Sequence, residues 1–137
     1  MMRLLDTNIL SEVIRPRPNP HVISKLLKQP GNTLFASELS RFELRRGACL
    51  LDDPDPLWRA IAEQILPLVH WLPMSEAVSF GAGTLSARLQ RNGQEIGIVD
   101  SLLAATALAH NLVMVTRNVR HFERVESLTI ENWFDLQ

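Results

Sequence analysis

The chain has 137 residues, 46% apolar, 21% charged and 6% aromatic, a balance that gives a globular core without help from disulfides or a structural metal. Its 14 Lys and Arg against 15 Asp and Glu leave a net charge of −1, which excludes a strongly basic domain that binds nucleic acid by blanket phosphate neutralisation. The lone Cys49 and the absence of zinc-ligand spacing point to a reducing compartment. No apolar run approaches the roughly 18 residues of a membrane span, and Arg3, Asp6 and Glu12 charge the first residues, so a cytoplasmic location without membrane contact is expected.

Arg3-Leu4-Leu5 reads as a short strand, Asp6-Thr7-Asn8 as a turn, and Ile9 to Ile14 as the helix that follows. Arg15-Pro16-Arg17-Pro18 breaks the chain. Asn19 then caps a helix with Pro20 in its first turn and Val22, Ile23, Leu26 and Leu27 on one face. After Pro30-Gly31-Asn32, a strand over 33–36 leads to Ser37 or Ser40 as the cap of a helix bearing Phe42, Glu43, Leu44, Ala48 and Leu51.

Asp52 to Pro56 forms a loop that opens a helix with Leu57, Ala60, Ile61, Ile65 and Leu68 near helical period, and 52–67 has the look of a projecting helical insertion or clip. A strand over 69–72 precedes a long helix that starts at Ser75-Glu76 and stops at Asn92-Gly93. Ile98-Val99-Asp100 leads into Ser101 to Ala109, apolar enough to be a buried helix. A strand over 112–115 ends at Thr116-Arg117-Asn118, and a last one is expected near 128–130. Strands separated by helices require a parallel sheet covered on both faces, because each parallel crossover needs a helix-sized connection. The expectation is therefore an α/β fold forming a single domain over residues 1–137.

Ligands of such sheets collect beyond the carboxyl ends of the strands. Asp6 and Asn118 directly follow predicted strands. Asp100 opens a helix that runs antiparallel to the strand it feeds, and Glu43 lies about two turns into a helix leaving the same edge. Three carboxylates and an amide converge in this reading. Clustered carboxylates repel and take up protons unless a counter-charge intervenes, and Mg²⁺ or Mn²⁺ with their preference for oxygen ligands supply one. A cation so held activates water for attack on a phosphodiester. Each residue also has a local explanation: Asp6 and Asp100 as helix caps, Glu43 as a partner of Arg45 or Arg46, Asn118 as a turn residue. The histidines show no ligand spacing, which leaves His110 and His121 as weak candidates only.

Four segments, in order, resemble the PIN-domain family: Leu4-Leu5-Asp6-Thr7-Asn8, Phe42-Glu43-Leu44-Arg45-Arg46-Gly47, Asp100 to Ala107, and Val115-Thr116-Arg117-Asn118 with His121-Phe122. The likeness runs from near residue 3 to near residue 134, and its closest branch is that of the VapC-type, FitB-like toxins. It implies a single PIN-like α/β domain, Mg²⁺- or Mn²⁺-dependent endoribonuclease activity, a homodimer and a VapB-like antitoxin that blocks the site. Asp6, Glu43 and Asp100 match the three principal acidic positions, and Asn118 falls where many relatives carry a fourth Asp. Thr116 is a candidate for positioning water or phosphate, and Arg117 and Arg120 for contact with RNA phosphate. Since an amide brings no charge, a catalytically weak binding module within a DNA-bound toxin–antitoxin complex is the alternative. Receiver-like and Asp-x-Asp phosphatase readings fail because Asn8 stands where the second acid belongs and no Lys follows Lys28.

Overall fold

The computed structural model describes residues 1–135. Five parallel strands form one sheet in the order β3-β2-β1-β4-β5: β1 (Arg3–Leu5), β2 (Leu34–Ser37), β3 (His70–Leu72), β4 (Val113–Val115) and β5 (Ile130–Glu131). The helices are α1 (Thr7–Glu12), α2 (Pro20–Lys28), α3 (Glu38–Cys49), α4 (Asp55–Gln64), α5 (Glu76–Arg91), α6 (Ile98–Ala109) and α7 (Val119–Phe122). The first strand of the chain is thus the middle strand of the sheet. Arg3 and Leu4 pair with Leu34 and Phe35 on one side, and Arg3, Leu4 and Leu5 pair with Val113, Met114 and Val115 on the other.

Alternation along the strands divides the core in two, since successive side chains leave a strand on opposite faces. Leu5, Leu34, Ala36 and Val115 pack with Ile9, Leu10, Val22, Leu26 and Trp133. Leu4 and Met114 pack on the other face with Leu85 and Leu89 of α5, Leu103 and Ala104 of α6, and Phe122 of α7. The predicted caps are in place: the side chains of Asn19, Ser37 and Ser75 accept from backbone N–H groups of His21, Leu39 and Val78. Gly93 closes α5 at φ +67°, a conformation that glycine adopts without a Cβ penalty. Buried Glu12 fastens the Arg15–Pro18 break, accepting from Arg15 at 3.1 Å and from the Asn19 N–H at 2.7 Å.

Three expectations need correction. The 52–67 segment does not project, because Ile61 and Ile65 are buried in the core beside β1, and the Leu66–Leu68 turn is a separate one-turn 3₁₀ helix rather than more of α4. The final strand lies at Ile130–Glu131, later than 128–130. The four-residue helix α7, where no element was expected, is too short to show a period.

Candidate active site

The sheet order reverses direction at β1: the chain crosses to β2 on one side and later to β4 on the other. That makes the carboxyl ends of β1 and β4 a topological switch point, where the connections diverge and leave a crevice. Asp6 leaves β1 at this point and Thr116 leaves β4 beside it.

Asp6 combines two roles. As the N-cap of α1 its Oδ1 accepts from the Thr7 N–H at 2.7 Å. Its Oδ2 accepts from the Thr116 hydroxyl at 2.8 Å and from Asn8 Nδ2 at 3.4 Å. The residue is only 6% exposed. Burial pushes its carboxyl up to about 6, against an ordinary 3.8, and the negative charges of Asp100 and Glu43 add to the rise; the Thr116 and Thr7 hydrogen bonds oppose it without cancelling it. Polar contacts link the three acids indirectly: Thr7 bonds both Asp6 and Glu43, and the chain Thr116, Asn118, His121 runs from Asp6 to Asp100.

Glu43, in the second turn of α3, accepts from the Thr7 hydroxyl at 2.7 Å. Thr7 Oγ1 also lies 2.9 Å from Ser40 Oγ. A hydroxyl has one proton, so Thr7 donates to the carboxylate and accepts from buried Ser40. Glu43 has no ion pair with Arg45 or Arg46 among the described residues.

Asp100 occupies the third position of α6 and is not its cap. Gly97 holds that place, at φ +91° and with no side chain to offer. The carboxylate Oδ2 of Asp100 meets His121 Nδ1 at 2.7 Å. Thr116 Oγ1 accepts from the Asn118 N–H at 2.9 Å while donating to Asp6, so the Asn118 backbone joins the crevice through it. The Asn118 side chain turns to His121, with Nδ2 at 3.3 Å from Nδ1.

Of the other sequence candidates, Arg117 and Arg120 are exposed, with the Arg117 guanidinium 4.5 Å from the centre of the Phe134 ring. His110 caps the far end of α6, about 15 Å along the helix from Asp100 at 1.5 Å per residue. Sequence reading missed Thr7 as the partner of Glu43, Ser40 as the partner of Thr7, and His121 as the partner of Asp100. No local pattern links residues 36 or 21 positions apart.

Among the described residues, no three His, Cys, Asp or Glu side chains close around a single ion-sized point. The donors facing the crevice are nonetheless carboxylate oxygens, the ligand chemistry of Mg²⁺ and Mn²⁺ rather than of softer metals. Burial, with a smaller contribution from Asp100 and Glu43, makes the ionised Asp6 carboxyl costly, and a bound cation would offset that cost. By charge and by donor type, the residues fit a hard divalent ion.

The chain is 32% identical to the Toxin FitB of Neisseria gonorrhoeae over 139 residues, covering 98% of this chain and 100% of that one. A solved structure of FitAcB from the same organism superposes with a TM-score of 0.90 at 32% identity, over 98% of this chain and 100% of the other. Ribonuclease VapC2 of Rickettsia felis is 29% identical over 133 residues, 97% of this chain and 98% of that protein. The structure of VapBC2 from that organism, bound to a DNA fragment from their promoter, matches with a TM-score of 0.86 at 29% identity, over 97% and 99% of the chains. The PIN domain model spans residues 3–128, from the strand that delivers Asp6 to the turn that delivers Asn118 and His121, and the chain belongs to the PIN-domain family.

Proposed function

We propose that this protein is a Mg²⁺- or Mn²⁺-dependent endoribonuclease and the toxin of a toxin–antitoxin pair. The observation that carries the reading is the buried Asp6 carboxyl at the switch point of the sheet, linked through Thr7 to Glu43 and through Thr116, Asn118 and His121 to Asp100. Relatives named as ribonucleases and toxins, covering nearly the whole chain, support it.

Asp6, Glu43 and Asp100 would hold the cation, with Asn118 offering a neutral oxygen at the rim. The ion, when bound, supplies an activated water and offsets charge on the phosphate under attack. Thr116 keeps Asp6 oriented by donating to Oδ2, and Thr7 does the same for Glu43. Arg117 and Arg120, exposed near the same rim, would neutralise the RNA backbone.

The partner of this reading is a VapB-like antitoxin, as in the toxin–antitoxin complexes of the relatives. A groove of about 360 Å³ includes Glu43 in its lining, along with apolar Ile14, Leu44, Ala48, Leu57 and Ile61. Its chemistry suits an apolar segment that ends in Arg or Lys, since a guanidinium forks onto carboxylates. The same reading includes a homodimer, for which the exposed Phe80 and Ile98 offer apolar surface. Among the described residues no helix is long and apolar enough to cross a membrane; a cytoplasmic location belongs to the proposal.

Product ends test the mechanism. Attack by an activated water leaves a 5′-phosphate and a 3′-hydroxyl, whereas attack by the ribose 2′-hydroxyl leaves a cyclic phosphate and calls for a general acid and base. Ligation-based mapping is expected to find 5′-phosphates that appear only with Mg²⁺ or Mn²⁺, and slower cleavage by the purified toxin–antitoxin pair than by the free chain. Cyclic ends formed equally well in EDTA would end the metal reading, and no cleavage under any condition would favour the binding module.

Asn118→Asp bears on the rim. The added carboxylate should tighten Mn²⁺ binding in calorimetric titration, because it brings a charged oxygen to a site that already favours cations. Equal or weaker affinity would remove Asn118 from the ligand set.

A further inference from the structure

We propose that His121 is a positioning residue for Asp100, an inference that rests on Asp100 serving as a cation ligand. The acids of the crevice differ in how they are held. Asp6 receives hydrogen bonds from Thr7, Thr116 and Asn8, and Glu43 receives one from Thr7. The Asp100 carboxylate has one side-chain partner among the described residues, His121 Nδ1 at 2.7 Å. Its own helix adds the favourable field of a first-turn position but, among the described residues, no hydrogen bond to the carboxylate.

A carboxylate only accepts, so the proton in the 2.7 Å contact between Oδ2 and Nδ1 belongs to the imidazole, and His121 carries its hydrogen on Nδ1; Asn118 Nδ2, 3.3 Å from that atom, then lies beside it without donating to it. That bond consumes Oδ2 and leaves Oδ1 for a ligand. The imidazole is itself well anchored. Phe122, the next residue, is fully buried in the α5/α6 core, Val125 follows it there, and backbone bonds from His121 to Asn118 and from Glu123 to Val119 lock the turn. The pair therefore ties α7 to the first turn of α6, fixing one carboxylate from the far side of the crevice. Ligand-orienting partners of this kind matter to metal affinity because a free carboxylate must otherwise be ordered when the ion binds.

The side chain is 40% exposed, so its replacement leaves the core untouched. Asparagine places its amide nitrogen as many bonds from Cα as Nδ1, and glutamine reaches as far as Nε2; the two variants separate the roles of the two ring nitrogens. Mn²⁺ affinity, read by calorimetry, is expected to fall about 10–100-fold in His121→Ala, to recover in His121→Asn, and to stay low in His121→Gln. The kcat at fixed Mn²⁺ should follow the same order while KM for RNA stays level. Nitrogen-15 NMR of the imidazole should show the hydrogen on Nδ1 in the metal-free protein, with its resonance displaced in Asp100→Asn.

Wild-type affinity in His121→Ala alongside weakened binding in Asp100→Asn overturns the proposal alone. So does rescue by Gln rather than Asn, or a hydrogen found on Nε2. Unchanged Mn²⁺ affinity in Asp100→Asn overturns the proposal together with the metal reading beneath it.

Discussion

Asp6→Asn is expected to abolish metal-dependent cleavage and, at neutral pH, to make the protein more stable. In the native chain the Asp6 carboxyl keeps its proton up to about pH 6, held there first by burial and then by the facing charges of Asp100 and Glu43. In the unfolded chain it ionises near its ordinary 3.8. Between these values the native state binds more protons than the unfolded state, so stability falls as pH rises through the interval. Above pH 6 the cost is complete, about 3 kcal/mol at roughly 1.4 kcal/mol per tenfold change in proton affinity. Below pH 4 it is absent.

Asparagine removes that cost but gives up one acceptor. Its oxygen can still take the Thr7 N–H, while Thr116 must turn its hydroxyl elsewhere, a loss of about 1 kcal/mol. The net gain should be about 2 kcal/mol at pH 7.5 and should give way to a loss of about 1 kcal/mol near pH 3.5, where only the missing Thr116 bond remains. Urea unfolding at the two pH values measures it. Mn²⁺ should raise the midpoint of the wild type and leave that of the variant in place. An equal difference between the proteins at both pH values would mean that Asp6 is not the strained group.

Trp133→Ala should be the most damaging substitution in the core, with a loss of about 3–5 kcal/mol. Trp133 is 1% exposed and lies just past β5, packed against residues from β1, β2 and α1. Its Nε1 donates to Glu131 Oε1 at 2.9 Å. Arg3 donates to both oxygens of Glu131, at 2.8 and 3.2 Å, which with the indole bond holds that carboxyl below the usual range despite partial burial. The edge strand is thus pinned to the middle strand by an arginine, a glutamate and an indole. Trp133→Phe separates the contributions: it keeps most of the volume, loses the N–H, and should cost less than the alanine change. Denaturant midpoints for the pair read both terms, and a small loss in the alanine variant would show that the edge strand folds without its anchor.

Where the chemistry is local, the sequence was legible. The short strand Arg3-Leu4-Leu5, the caps Asn19 and Ser75, and the Asn92-Gly93 stop are decided within a few residues and stand where the pattern put them, and of the two serines offered as the cap of α3 it is Ser37. Asp6 could be read either as a helix cap or as a member of an acidic cluster; it caps α1 and shares Thr7 as a hydrogen-bond donor with Glu43. Capping did explain Asp6 but not Asp100, because α6 begins three residues earlier than a cap at Asp100 would require. The Thr7–Glu43 and Asp100–His121 contacts were invisible, since only the folded sheet brings α1 to α3 and α6 to α7. For the same reason α4 looked like a clip: its apolar stripe has the same period whether it meets this core or another surface.

The placement of the first-made strand at the middle of the sheet governs when the site comes into being during translation. Asp6, Glu43 and Asp100 are all synthesised before β4, yet the hydrogen bond that orients Asp6 reaches Thr116, 110 positions later. Until the ribosome releases the region around residue 116, β1 lacks one of its two neighbours and stands as an open edge with its loop unclosed. Contacts of such sequence separation form late, after the entropy of the long loop has been overcome. For the proposed nuclease, the nascent chain carries every acid of its site before the bond that orients Asp6 can form, so the site is complete only once β4 docks.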